Sequence, residues 1–210
     1  MIALVLAGGP LRPNERVLEL AAEPALVVAA DGGLRHAATL RIEPDLLVGD
    51  LDSVLPDDLR RWQGLTVEQH PRDKDALDLE LAIDAALARG ATELRVMGAF
   101  GGRFDQTLAA ALVAARYAER GVAVSLLDGI HDAYPLPAGG VFDGPLPDGT
   151  LFSLLSLTDS ARVDVDGAAY PLANAELPRG VGLGLSNIAQ DGPKVRVHAG
   201  TVLLIVEWDA

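Results

Sequence analysis

The chain has 210 residues, half of them hydrophobic, and a formal net charge of −13, so it can bury a sizeable core in one large domain or in a medium and a small one. A surface this acidic repels nucleic-acid backbones, and we expect no nucleic-acid partner. The absence of cysteine excludes disulfides and thiolate metal sites and fits a cytoplasmic chain, while four scattered histidines argue against zinc.

The first part of the chain alternates short apolar runs with helical patterns. Its start, Met1–Ala7, has no basic lead and is too short for a signal peptide or a membrane span, so we expect a buried strand and no membrane partner. The apolar runs predict six strands, at Ile2–Leu6, Leu26–Ala30, Leu46–Val48, Leu65–Gln69, Leu94–Met97 and Val122–Leu127. The helical patterns between them lie at Glu15–Ala22, Leu34–Leu40, Pro56–Trp62, Ala76–Arg89 and Asp105–Glu119. This alternation predicts an α/β domain over residues 1–137, with a mostly parallel sheet flanked by helices.

The pattern changes after Leu136. Glycine and proline signals for turns cluster at positions 139–149. Apolar and polar residues then alternate with period two in three segments, Arg162–Asp166, Lys194–His198 and Thr201–Val206. We therefore predict a small antiparallel β-sandwich domain over residues 138–210.

Four loops that follow predicted strands carry the unusual residues of the chain. They are Ala7–Gly9, Asp31–Gly33, Gly49–Ser53 and Gly98–Arg103. Every strand-to-helix loop of a parallel sheet lies at the same edge, where ligands of open α/β sheets bind. We therefore expect these loops to converge in space although they are far apart in sequence.

Two pairs of aspartates are candidate ligands for a cation. Asp50 and Asp52 are two residues apart, so in an extended segment both carboxylates could face one magnesium ion, which prefers hard oxygen ligands. The alternative is that they shape a turn, with Ser53 helping to start the next helix. Asp75 and Asp78 are three residues apart at the start of a predicted helix, hence on one face, and there the alternative is helix capping.

The last of the four loops has the features of a phosphate site. Its glycines would let backbone N–H groups approach phosphate oxygens, and Arg103 could bind a phosphate bidentately. It does not match the P-loop pattern, which needs Gly-Lys-Ser/Thr. Asp105 could cap the following helix or reach the same site, and Asp31 carries the same ambiguity. Together these residues predict a magnesium–phosphate site at one edge of the sheet.

Six segments, in order along the chain, resemble those of thiamine pyrophosphokinases. They are ADGG at 30–33, PDLLVGDLDS at 44–53, KDALDLE at 74–80, GAFGGRFD at 98–105, FSLL at 152–155 and GLSN at 184–187. The resemblance implies transfer of a diphosphate from ATP to the hydroxyethyl group of thiamine, giving thiamine diphosphate and AMP. It also implies a homodimer, with thiamine bound between the α/β domain of one subunit and the β domain of the other.

The resemblance further implies a role for each matched residue. The catalytic residues would be Asp50, Asp52, Asp75, Asp78, Arg103 and Asp105, of which the first four would hold Mg²⁺. The α/β domain would bind ATP through Asp31, Gly32, Gly33, Lys74, Gly101, Gly102 and Gln106. The β domain would bind thiamine through Ser186 and Asn187.

The chain departs from the family pattern at two places. Gln106 and Ala110 replace a histidine and an asparagine, and glutamine cannot titrate. No aromatic residue follows Asn187 closely, so Tyr170 or Trp208 would have to face the thiamine ring. These departures leave open a related pyrophosphokinase that acts on a hydroxymethyl-dihydropterin. A non-catalytic module that binds nucleotide and magnesium is a second alternative.

Overall fold

The computed structural model describes residues 1–208, which fall into two compact units. The first unit comprises Met1–Ala110 and Leu126–Gly129, and the second comprises Ala111–Ser125 and the described residues from Ile130 onward. The division predicted between residues 137 and 138 stays a prediction, and the last two residues of the predicted second domain, 209 and 210, lie outside the described residues. Within residues 1–208, no helix combines the length and apolar character needed to cross a membrane.

The first unit is built on a parallel sheet. Its strands are β1 (Ile2–Leu6), β2 (Leu26–Ala30), β3 (Leu46–Gly49), β4 (Thr66–Gln69) and β5 (Glu93–Met97), and the residues of β6 (Ala123–Leu127) fall in both units. Parallel pairing of β1 with β2 and β5, of β2 with β3, and of β3 with β4 gives the order β4-β3-β2-β1-β5. Every residue of β2 and β3 is buried, as expected for central strands covered on both faces. The predicted α/β fold class is confirmed.

Five helices follow strands of this sheet, close to the predicted positions. They are α1 (Glu15–Ala22), α2 (Arg35–Leu40), α3 (Pro56–Arg61), α4 (Asp78–Ala88) and α5 (Phe104–Ala118), and a short 3₁₀ turn over Asp31–Leu34 leads into α2. The predicted start of α4 at Ala76 is wrong, because Leu77 has an extended backbone with ψ 148° and the helix begins only at Asp78. Asp75 therefore precedes the helix, and the predicted sharing of one helix face by Asp75 and Asp78 is wrong too.

The second unit contains antiparallel strands with a core of their own. The strands are β7 (His131–Pro137), β8 (Val141–Phe142), β9 (Leu151–Ser156), β10 (Ser160–Ala168), β11 (Leu172–Pro178), β12 (Asn187–Ala199) and β13 (Thr201–Glu207). Hydrogen bonding gives the order β7-β13-β9-β12-β10-β11, with β8 on β12. Alternate residues of β10, Val163 and Val165, are buried against Val197 of β12, which explains the period of two in the sequence.

Candidate active site

Three of the four predicted loops meet through their backbones. Gly9, after β1, donates its N–H to the carbonyl of Gly98, after β5, at 2.7 Å. A Cβ on Gly33, after β2, would lie 1.9 Å from the Leu6 carbonyl oxygen, and one on Gly9 would lie 2.5 Å from that of Gly98. Only glycine permits these approaches, so the glycines bring the loops together. The predicted convergence of these loops is confirmed.

Two side chains that the sequence analysis missed hold the loop after β1. The Arg35 guanidinium donates to the carbonyls of Gly8 and Gly9. The Nε2 of His36 lies 2.8 Å from the Gly9 carbonyl oxygen. Burial lowers the pKa of His36, although the hydrogen bond to Gly9 opposes this, so the ring is a neutral donor at pH 7. In the sequence, the one feature that could have indicated these two side chains is the Arg-His pair directly after the Asp31–Leu34 turn.

A cavity of about 530 Å³ opens at this edge of the sheet, within the first unit. The predicted site residues that line it are Asp31, Gly32, Asp50, Lys74, Asp78, Gly101, Gly102, Arg103 and Gln106. Ala110 and the unpredicted Arg35 and Arg72 also contribute to its wall. Among the described residues of this unit, four further predicted residues lie outside the lining, namely Gly33, Asp52, Asp75 and Asp105.

Three of the lining aspartates form a cluster, which we call the carboxylate trio: Asp31, Asp50 and Asp78. One carboxylate oxygen from each lies within 4.8 Å of the other two. Asp31 takes a left-handed backbone with φ 46°, and a Cβ on the neighbouring Gly49 would lie 2.9 Å from the Asp31 Cβ. The strained residue at the end of β2 and the glycine at the end of β3 thus allow the carboxylates to approach each other.

The carboxylate trio is only partly compensated. Asp31 is 8% exposed, and its Oδ1 has no hydrogen-bond partner among residues 1–208. Burial raises the pKa of Asp31; hydrogen bonds from the Gly32 backbone and the Ser53 side chain oppose this shift, while the negative charges of Asp78 and Asp50 add to it. A backbone hydrogen bond from Asp52 and the nearby charge of Lys74 lower the pKa of Asp50. Hard oxygens in this arrangement, one of them buried and unpaired, suit a divalent cation such as Mg²⁺.

Lys74 supplies the positive charge beside the trio. Its Nζ lies 2.8 Å from Asp78 Oδ1 and 3.7 Å from Asp50 Oδ2, and its side chain is 15% exposed. Burial disfavours the ammonium, but its close contact with the carboxylate of Asp78 and the negative charges of Asp78 and Asp50 raise the pKa of Lys74 overall. The residue is therefore a charged ammonium inside the site at neutral pH.

Asp52 and Asp75 lie outside the trio. The segment after β3 is not extended as predicted, because Leu51 has φ 69° and the Asp52 N–H donates to Asp50 Oδ1 at 3.0 Å. This turn directs the Asp52 carboxylate to Arg72, whose Nη2 lies 3.0 Å from its Oδ2. Asp75 is exposed. The assignment of these two residues as metal ligands stays a prediction.

Arg103 and Asp105 form an exposed bidentate pair at the start of α5. Arg103 Nε lies 3.1 Å from Asp105 Oδ1, and Nη2 lies 2.5 Å from Oδ2. The pair raises the pKa of Arg103 and lowers that of Asp105. Asp105 also accepts the Gln106 N–H at 3.0 Å, so within the first turn of α5 it both binds a backbone N–H and orients the guanidinium at the cavity.

The predicted thiamine residues belong to the second unit. Asn187 is 5% exposed; its Oδ1 accepts the N–H groups of Tyr170 and Ile188, and its Nδ2 donates to the Tyr170 carbonyl. Its amide thus holds Tyr170, whose side chain is 64% exposed. Ser186 has φ 56° and donates its N–H to the Ser153 hydroxyl. Trp208 instead packs partly buried against the core of its unit.

Comparison with known proteins gives a consistent family signal. A family model described as the thiamin pyrophosphokinase catalytic domain matches residues 17–126, just over half of the chain. The chain is 25% identical over 186 residues to the thiamine pyrophosphokinase of Bacillus subtilis (strain 168), covering 87% of each protein. The crystal structure of the Bacillus subtilis thiamine pyrophosphokinase has the same fold, with a TM-score of 0.87, 24% identity and full coverage of both chains. A thiamin pyrophosphokinase family protein from Enterococcus faecalis matches with a TM-score of 0.80 and 26% identity, over 100% of this chain and 99% of the other.

Proposed function

The chain belongs to the thiamin pyrophosphokinase family, and on that premise we propose that it transfers a diphosphate group from ATP to the hydroxyethyl oxygen of thiamine and releases AMP. The observation that carries this proposal is the carboxylate trio, which shares one cavity with the glycine loops and with Arg103. Phosphoryl transfer depends mainly on positioning and charge stabilisation, and these residues supply both.

The cation requirement follows from the donor set. Asp31, Asp50 and Asp78 would hold Mg²⁺, and family resemblance adds Asp52 and Asp75 as candidates. When bound, Mg²⁺ would neutralise charge on the ATP phosphates. The buried, unpaired Oδ1 of Asp31 supports this assignment, because a buried carboxylate oxygen without a partner is costly in the absence of a ligand.

The chain's own groups would bind the phosphates and orient the acceptor. Gly101 and Gly102 have φ values of 75° and 67°, which suit glycine and leave backbone N–H groups accessible at the start of α5. Arg103, oriented by Asp105, would stabilise charge on the transferred group. Gln106 lines the same cavity and can donate or accept hydrogen bonds where the family has a titratable histidine.

We propose an in-line displacement at the β-phosphorus of ATP. The hydroxyl oxygen of thiamine forms a bond to the β-phosphorus, the bond from that phosphorus to the bridging oxygen of the α-phosphate breaks, and AMP leaves with the bonding electrons. The hydroxyl proton passes to a carboxylate of the site. The products are thiamine diphosphate and AMP, so atoms and charge balance.

We also propose a homodimer in which the second unit of one subunit completes the thiamine site of the other. Five aliphatic side chains of this unit support a subunit contact because they are exposed: Leu151, Leu155, Leu183, Leu185 and Ile188. Leu151 and Ile188 lie opposite each other on paired strands, which makes part of this surface continuous. Sedimentation velocity should give twice the monomer mass, and a strictly monomeric active enzyme would contradict the shared site.

The experiment that tests the reaction measures AMP release from ATP and MgCl₂ with thiamine, and separately with hydroxymethyl-dihydropterin. Thiamine-dependent AMP release supports the proposal, while release only with the pterin supports the related pyrophosphokinase. Binding of ATP without AMP release would support a non-catalytic module. Asp78→Asn should abolish release, whereas Asp159→Asn, which alters an exposed carboxylate of the second unit, should retain it.

A further inference from the structure

The chain places one of its own cations beside the carboxylate trio, in contact with two of its members. Lys74 is one of only two lysines in the sequence. Its ammonium contacts Asp78 at 2.8 Å and lies 3.7 Å from Asp50, with little exposure to solvent. The other lysine, Lys194, lies 44% exposed and 3.8 Å from Asp143 in the second unit. Lysine is seldom buried unless it is paired, so the position of Lys74 reflects the charge of the trio.

The ammonium compensates only part of this negative charge. Only two carboxylates of the trio, Asp50 and Asp78, are recorded in contact with Lys74, and the Oδ1 of Asp31 has no hydrogen-bond partner among residues 1–208 although Asp31 is more than nine-tenths buried. Asp78 Oδ1 is also buried without a hydrogen bond among residues 1–208, although Lys74 Nζ lies 2.8 Å from it as an ion pair. Two such oxygens beside a single ammonium indicate a cation site that the lysine fills incompletely. A divalent cation would satisfy all three carboxylates, but it would meet the ammonium at close range.

We propose that Lys74 is a resident counter-cation, which a divalent cation displaces from Asp50 and Asp78 and which then pairs with a nucleotide phosphate. This inference rests on the proposed function, because it needs a nucleotide bound beside the trio. Repulsion between the ammonium and a divalent cation weakens binding of the free metal ion. Phosphate oxygens relieve that repulsion by accepting hydrogen bonds from the ammonium, so the metal ion and the nucleotide bind cooperatively.

Calorimetric titration with MgCl₂ alone, in the absence of nucleotide, tests the competition directly. Lys74→Met should bind Mg²⁺ about tenfold more tightly than the unaltered protein, because the competing charge is gone. Lys194→Met makes the same change at an exposed ion pair of the second unit and should leave the affinity unchanged. If Lys74→Met binds Mg²⁺ no more tightly than the unaltered protein, the inference is wrong.

Thermal unfolding gives a second readout that does not depend on turnover. Without a divalent cation, Lys74→Met should have a lower Tm than the unaltered protein, since the trio then lacks its positive charge. MgCl₂ should raise the Tm of this variant more than that of the unaltered protein. Lys74→Gln serves the same test if the methionine variant does not fold, and Lys74→Arg, which keeps the charge, should keep the weak Mg²⁺ binding.

The coupling between ligands completes the test and separates it from the reaction. A non-hydrolysable ATP analogue should tighten Mg²⁺ binding to the unaltered protein about tenfold more than to Lys74→Met. Equal tightening in both proteins would overturn the proposed transfer of the ammonium to phosphate. If the unaltered protein releases no AMP when thiamine is added, only the proposed function is contradicted, because the Mg²⁺ affinities are measured without thiamine.

Discussion

Each unit of the molecule buries an aspartate, and the two are stabilised in opposite ways. Asp132 in the second unit is fully buried, and its Oδ2 accepts hydrogen bonds from the Tyr134 hydroxyl at 3.0 Å and from Trp208 Nε1 at 2.8 Å. Asp31 in the first unit is nearly as buried, but its Oδ1 is unpaired and its backbone is left-handed. Burial alone therefore does not distinguish the two carboxylates, whereas the hydrogen bonds of Asp132 and the unpaired Oδ1 of Asp31 do.

The same contrast extends to the amide of Asn187. Both polar ends of this buried side chain are used within the second unit, where they hold the backbone of Tyr170 and Ile188. These hydrogen bonds fix the backbone that carries the exposed Tyr170. At the trio, by contrast, the energetic cost of an unpaired acceptor and three neighbouring carboxylates is retained, as expected where a charged ligand is to be bound.

The largest expected effect comes from replacing each buried aspartate with asparagine. Asp31→Asn keeps a residue that tolerates the left-handed backbone but removes a charge from the trio, so we expect turnover to fall about 100-fold. Its free energy of unfolding should stay the same or rise, because an uncompensated buried charge is lost. Asp132→Asn should lower the free energy of unfolding by about 2 kcal/mol, because it disturbs two hydrogen bonds to a buried carboxyl oxygen.

Turnover assays and urea unfolding of both variants measure this contrast. Asp132→Asn should retain turnover at temperatures where it is folded. If Asp31→Asn were the more destabilised variant while keeping its turnover, the assignment of the two aspartates to structure and function would be reversed.

The fold around the trio could be predicted from the sequence, but the arrangement of its carboxylates could not. Apolar runs followed by glycines and aspartates were sufficient to predict the parallel sheet and the converging loops, because strand direction places those loops at one edge. Asp50 and Asp78 were among the predicted magnesium ligands, but the position of Asp31 beside them was not predicted, since Asp31 approaches them through a positive φ and through the missing Cβ of Gly49. Both are properties of packing between loops that are distant in sequence.

Local conformation accounts for the differences at the remaining predicted ligands. The left-handed Leu51 turns Asp52 towards Arg72, and the extended Leu77 delays the start of α4, so that Asp75 lies before it. The sequence patterns that predict strands and helices do not reveal such single-residue changes of backbone conformation.

An intermediate effect on turnover is expected when arginine is replaced by lysine in one of two exposed arginine–aspartate pairs, of which each unit has one. Arg103→Lys keeps the charge but loses the bidentate geometry to Asp105 and to phosphate, so turnover should fall about tenfold. Arg179→Lys makes the same change in the exposed pair with Asp159. Exposed pairs contribute little to stability, so both variants should unfold at the same Tm as the unaltered protein within about 2 °C.

Steady-state kinetics with thiamine and ATP separate the two variants. A loss of turnover confined to Arg103→Lys supports the role of this residue at the transferred group. Equal losses in both variants would show that the effect belongs to surface charge rather than to the cavity.

The smallest expected effect is a change in the pH dependence of stability when His36 is replaced. The pKa of His36 is lowered in the folded chain, so the unfolded chain binds the proton more readily. The stabilisation by His36 is therefore complete above its unfolded pKa of about 6.5 and is lost as the pH falls through the lower folded value. His36→Gln can still donate to Gly9 but does not titrate, so its free energy of unfolding should fall less between pH 7 and pH 5 than that of the unaltered protein.

The difference between the two proteins in the slope of unfolding free energy against pH should not exceed about 1.4 kcal/mol per pH unit, the limit for one proton. Urea unfolding at pH 5, 6 and 7 measures these slopes. Identical slopes for both proteins would show that protonation of the buried imidazole does not affect the stability of the fold, and that Arg35 holds the loop after β1 independently of pH.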